Sequence, residues 1–205
     1  MGLIILAFGV AFSIKADLGT SPIASVSYVG SLFTSFSVGN ITILVHSILI
    51  LLQIMVLRRR YNPIQLLQLP VAIFFGNITD FSIWAIQAIT FSTYWQQWVL
   101  CIIGIILNSI GVYLLVKANL VTLAAEGLVI AICKVLLIKF GSMKITLDIT
   151  FVVIAGILSI TFLNGIYGIG EGTIATAIFV GWITKGIDQI VGAVREKYSF
   201  QPDFE

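Results

Sequence analysis

Apolar runs separated by short polar or glycine-bearing breaks set the pattern of the chain. Four runs fill the first half, at Gly2–Ile14, Ile23–Val38, Ile41–Leu57 and Ile64–Trp84, and four fill the second, at Trp98–Val116, Leu123–Ile138, Ile145–Phe162 and Thr173–Val191. Runs of this kind predict helices in a bilayer, although several fall short of the roughly 20 residues that a full crossing needs. The expected fold is therefore all-α, a polytopic transmembrane bundle of about eight segments, some of them short or re-entrant. Residues 86–97, with Phe91, Tyr94 and Trp95, read as a connector at the headgroup level, where aromatic rings settle. From residue 193 to 205 the sequence turns polar, as expected of a frayed surface tail.

The two halves are related in sequence. Gly9, Val10, Lys15, Ala16, Leu18 and Thr20 recur as Gly111, Val112, Lys117, Ala118, Leu120 and Thr122, at a constant offset of 102. Carried forward, that offset pairs Gly39 with Gly141, Ile43 with Ile145, and His46, the only histidine, with Asp148. Gly76-Asn-Ile-Thr-Asp80 resembles Gly181-Trp-Ile-Thr-Lys185 at an offset of 105. Self-similarity at half the chain length indicates two tandem copies of one unit, here 1–85 and 98–192, an organisation found in many membrane transporters. Four crossings per copy give a parallel repeat; an inverted one needs an odd number, as when one short segment per copy is re-entrant. On the even count Lys15, Arg58, Arg59, Arg60 and Lys117 share one face and Lys139, Lys144, Arg195 and Lys197 the other, so the charges leave orientation open.

Composition narrows the class. Only 10% of residues are charged, the mean hydropathy is +1.11 and the net charge is +2. Soluble domains carry roughly 25% charged residues, and nucleic-acid binders need a clustered basic surface, so the lipid bilayer is the expected partner and nucleic acid is not. Cys101 and Cys133 lie in apolar runs, where a thiol packs as a small hydrophobe. With a single histidine and no CxxC, no metal site or other cofactor is expected. The first residues lack a basic region and a small-residue cleavage site, so they read as a helix and not as a signal peptide. Gly165, Gly168, Gly170 and Gly172 read as a turn, because no strand precedes them and no Walker lysine follows.

Ionisable residues in so apolar a chain are costly and mark candidate sites. Lys15 and Asp17 precede Gly19-Thr-Ser21-Pro22, where Ser21 suits an N-cap and Pro22 the first helical position. Lys117 and Asn119 stand in the matching break of the second half. Two lysines beside two helix starts make an anion-binding funnel, unless both snorkel to headgroups. His46 and Asp148 are candidates for a proton-exchanging pair across the interior. Glu126 and Lys134 lie too far apart for a bridge within their helix. Glu126 aligns with Ala24, so it breaks the symmetry and marks the substrate side. Asp80 and Lys185 are candidates for an ion pair between the halves. The expected substrate-binding set is Lys15, Asp17, Ser21, Lys117, Asn119 and Glu126, with proton coupling at His46 and Asp148.

Ala16-Asp17-Leu18-Gly19 followed by Pro22, and Gly170-Glu-Gly-Thr-Ile174 with Gly181 and Ile187-Asp188, resemble the YczE/YyaS/YitT group of bacterial integral membrane proteins. The resemblance runs through nearly the whole chain and implies a multi-pass protein of the bacterial cytoplasmic membrane. Some members of that group are described as regulators and others as candidate exporters. The chain departs from the pattern in its fourth segment, where Leu67-Gln68 and Pro70 replace a Gly-Thr start like Gly172-Thr173. The expected function is a small secondary transporter of an anionic or amphipathic small molecule, coupled to protons, and a homodimer stays open. The alternative is a non-transporting regulator or scaffold for a partner protein. An enzyme is not expected, because the one histidine has no evident serine or cysteine partner.

Overall fold

The computed structural model describes residues 1–118 and 123–199, with side chains through residue 191. Eight α-helices follow the eight apolar runs: α1 (Gly2–Ala16), α2 (Pro22–Phe33), α3 (Val38–Leu57), α4 (Gln68–Ala85), α5 (Tyr94–Ala118), α6 (Ala124–Leu136), α7 (Phe140–Leu163) and α8 (Glu171–Ser199). No strand occurs among the described residues. Helix α5 starts inside the expected connector because Gln96 Oε1 accepts from the backbone N–H groups of Ser92 and Thr93, capping the first turn. Five helices, α3, α4, α5, α7 and α8, are long and apolar enough to cross a membrane, so this is a multi-pass membrane protein.

A glycine seam joins α1 to α5. A Cβ at Gly2 would meet Leu114 and the Gly111 carbonyl, one at Gly9 would meet Asn108, one at Gly104 would meet Ser13 and the Gly9 carbonyl, and one at Gly111 would meet Leu6. Residue numbers rise along one helix as they fall along the other, so α1 and α5 are antiparallel. Small residues are what permit so close an approach in lipid, where dispersion and not hydrophobicity drives helix association. The seam is also reciprocal: Gly2 on Gly111 and Gly104 on Gly9 are one contact with the halves exchanged.

Other contacts fix the sense of the remaining helices. Lys15 Nζ donates to the Gln87 carbonyl, so α1 and α4 run in parallel. Gly39 packs on Gly76 and Gln53 Nε2 donates to Gln68 Oε1, so α3 and α4 are antiparallel. Gly30 packs on Ile41 across the α2–α3 turn. Helix α2 therefore points the same way as α1, although it follows α1 directly. The turn explains how: Asp17 takes a left-handed conformation at φ 56° and Gly19 sits at φ 95°. The chain dips back along α1, and Tyr28 comes to lie beside Ser13 and Asp17. Counted by direction along the bundle, α1 and α2 together make one pass, and α1 to α4 make three. These directions match the alternative in which one short segment per half is re-entrant, and not the even count of crossings.

These directions re-sort the charges. One end of the bundle carries Lys15 with Tyr94, Trp95 and Trp98; the other carries Arg58, Arg59, Arg60, Lys117, Lys139, Lys144 and Lys185. Lys139 and Lys144, expected on the face opposite the triple arginine, lie at the same end. Helix α7 starts there and finishes where Phe162 stacks on Phe33, with ring centroids 4.4 Å apart. We call these the aromatic end and the basic end.

Candidate functional site

The packing of the two halves matches except at one place. Helix α2 packs on α7 as α6 packs on α3, and α1 on α4 as α5 on α8, but α3 and α4 are in close contact whereas, among the described residues, α7 and α8 are not. A Cβ on Gly76 would fall 2.6 Å from the Gly39 carbonyl oxygen, while one on Gly141 or Gly181 would meet nothing within 4 Å. The gap between α7 and α8 opens into a cavity of about 560 Å³. That size suits a small organic ligand, for which cavities run from about 300 to 1,000 Å³.

Every helix of the bundle contributes to the wall. Val10 of α1, Phe75 of α4, and Val112 and Tyr113 of α5 make it mainly apolar. The first turn of α2, with Ser21 and Pro22, and that of α6, with Glu126, both reach it. Three of the residues that line the cavity hold buried polar atoms without a protein partner: the amide of Asn108, which lies against Gly9 of α1, the hydroxyl of Thr176 and Oε2 of Glu126. Asn108 and Thr176 are each only 3% exposed. A buried polar atom with no partner costs about 1–3 kcal/mol, and a ligand that supplies the partner recovers it. The charged groups that act on the Glu126 carboxyl are Lys144 and Asp148 of α7.

The sequence-derived candidates divide between the cavity and the surface. Ser21, Lys117, Glu126, His46 and Asp148 line the cavity. Ser21 stands at the N-cap position of α2 without a side-chain capping bond, so Pro22 at the first turn is the operative start signal. Lys15 and Asp17 do not reach the cavity: Lys15 bonds to Gln87 at the aromatic end, and Asp17 ends α1 beside Tyr28. Because α1 and α5 are antiparallel, Lys15 and Lys117 lie at opposite ends, so the two-lysine funnel is not assembled. Asn119 lies outside the described residues.

His46 and Asp148 share the cavity without pairing. His46 Nδ1 bonds to the Thr42 carbonyl of its own helix at 2.8 Å, and Asp148 takes Lys144 at 2.6 Å, one turn away. Asp80 and Lys185 are likewise apart. Asp80 accepts from Ser37 Oγ at 2.6 Å and from the Gly39 N–H at 2.7 Å at the aromatic end, while Lys185 borders the cavity at the basic end. Lys117 pairs with Asp188 at 3.4 Å at the mouth. The Lys144–Asp148 pair is partly exposed, so its worth is at most about 1 kcal/mol. Asp148→Asn is accordingly expected to move the apparent melting temperature by no more than about 4 °C, which thermal denaturation in detergent would check.

Sequence reading did not single out Asn108, Thr176 or Tyr113. Asn108 was visible as the lone amide in an apolar run. Thr176, Val180 and Thr184 form a stripe at helical spacing that becomes meaningful only once α8 is seen to face the gap.

No curated protein and no solved structure matches the chain significantly. A family model described as "Family of unknown function (DUF6198)" matches residues 1–189, and the chain belongs to that family.

Proposed function

We propose that the chain is a duplicated unit whose copies, α1–α4 and α5–α8, are inverted relative to each other, and that it works as a small secondary transporter. Inverted copies account for the constant sequence offset, the reciprocal glycine seam and the odd number of crossings per half. Basic residues gathered at one end favour that end as the cytoplasmic one, and on that reading the cavity opens to the cytoplasm. The resemblance to bacterial cytoplasmic-membrane proteins that include candidate exporters agrees with this placement.

The observation that carries the reading is a cavity whose lining residues Asn108, Thr176 and Glu126 hold buried polar atoms without a protein partner. Of the three lysines that line it, Lys117 and Lys144 are paired with Asp188 and Asp148 and Lys185 borders the basic end, so the acidic group without an ion-pair partner inside is Glu126. The substrate is therefore an amphipathic small molecule with a basic nitrogen, the apolar part resting on Phe75, Val112 and Tyr113. A proton and a basic substrate each neutralise Glu126, and exchange of one for the other couples efflux to a proton gradient. An anionic substrate has less to hold it, because Lys15 and Lys117 lie at opposite ends.

The test is a thermal-shift series on the purified protein with amphipathic amines, matched carboxylates and neutral analogues. Amines are expected to stabilise it, and Glu126→Gln is expected to weaken that binding by about tenfold or more, the worth of a charge-assisted hydrogen bond. Stabilisation by no class, together with no pH-gradient-dependent flux in proteoliposomes, would favour the scaffold reading instead.

A further inference from the structure

We propose that the cavity is closed by α7 and α8 packing on each other at Gly141 and Gly181, and that the packed α3–α4 contact opens at the aromatic end when they do. The inference rests on the duplication reading. Gly141 is the counterpart of Gly39 and Gly181 that of Gly76. In the first half the pair is in contact, so close that no side chain fits between. In the second half the same glycines face open space. A glycine away from a tight contact has no packing use in a helix and is less favourable there than alanine. Two of them at the equivalent positions of one helix pair are accounted for by a second conformation in which the helices meet.

Charge explains why the open arrangement is the one observed. In the first half the Asp80 carboxylate clasps the N-terminal turn of α3, with Ser37 and the Gly39 N–H as donors. Their counterparts are Lys185 and Lys139. A helix start repels a cation, and two lysines repel each other, so closure at the basic end lacks a clasp and meets an electrostatic cost. A bound anion or a substituted carboxylate would lower that cost. Because α2 and α6 bridge the halves, packing on α7 and α3 respectively, movement of α7 is transmitted to α3, and the two ends are coupled.

The experiment uses the full chain in membranes, with Cys101 and Cys133 replaced by serine, and reads disulfide formation. Ser37→Cys with Asp80→Cys reports the aromatic end; Gly141→Cys with Gly181→Cys reports the basic end, and each of the latter fits without a clash. Gly141→Cys with Gly186→Cys, on another face of α8, is the control. The expected result is that the aromatic-end pair bridges readily and the basic-end pair bridges several-fold faster than the control. In a chain carrying both pairs, forming the first bridge is expected to slow the second by about tenfold, as mutually exclusive states require. Lys185→Asp is expected to speed basic-end bridging about fivefold, by supplying the clasp. A basic-end rate equal to the control, or a second bridge that forms as fast after the first as it does alone, overturns the proposal. No substrate is needed, so the two readings fail separately: alternating bridges without flux would leave the gate standing and remove transport, and flux without basic-end bridging would do the reverse.

Discussion

Gly76→Leu is expected to lower the apparent melting temperature of the purified protein by about 4–10 °C, whereas Gly181→Leu, at the equivalent position of the second half, is expected to leave it nearly unchanged. At Gly76 the new side chain would press on the Gly39 carbonyl and on Ile43, and a carbonyl on a helix start cannot yield without displacing the helix. Overpacking of this kind costs about 1–3 kcal/mol, and each kcal/mol moves the midpoint of a chain of this size by about 2–4 °C. At Gly181 the first atom of the side chain meets nothing within 4 Å. Size-exclusion chromatography after a temperature ramp measures both variants alike. Equal losses at the two positions would show that α7 and α8 pack in the resting protein as α3 and α4 do. Gly181→Leu should nonetheless abolish flux, because a leucine there blocks the meeting of α7 with α8.

The eight apolar runs, the all-α bundle and the offset of 102 were legible in the sequence because each rests on local composition or on identity at fixed spacing. The direction in which each helix runs was not. A polar break such as Asp17–Ser21 announces that a helix ends but does not say whether the chain crosses over or dips back. That choice was made by the left-handed Asp17 and by Gly19, whose neighbours come from the distant 168–173 segment. One misread crossing then placed Lys139 and Lys144 on the wrong face and hid the concentration of basic residues at one end. The pairing of His46 with Asp148 failed for a different reason. Equivalent positions bring two residues to the same cavity, but a lysine one turn away on the same helix is nearer to Asp148 than anything across the bundle. Asn108 and Thr176 show the complementary limit. Their residue types were visible, and only the position of α8 along α5 gives them a common space to face.

Asp80→Ala is the second large effect expected, and it concerns the opposite end from the cavity mouth. The carboxylate accepts from Ser37 Oγ and from the Gly39 N–H, so it both ties α4 to α3 and places a negative charge on the start of α3. Hydrogen bonds to a charged group contribute about 1.5–3 kcal/mol, and an anion at a helix start adds up to about 1 kcal/mol. Ser37 Oγ also accepts from the Asn40 N–H at 3.1 Å, so the cap survives in part when the carboxylate is lost. The expected outcome is local opening and not unfolding: amide exchange at Gly39 and its neighbours should rise by one to two orders of magnitude, the equivalent of about 1.4–2.8 kcal/mol, while α1 and α5 stay protected. Asp80→Asn keeps an acceptor for one donor but not the charge, and should fall between the two. If closure at the basic end is coupled to opening here, Asp80→Ala should also make the basic-end bridge form faster, although the substitution lies at the far end of the bundle. Faster exchange at α3 with an unchanged bridging rate would mean that the two ends open independently, because a shared equilibrium cannot be biased at one end without moving the other.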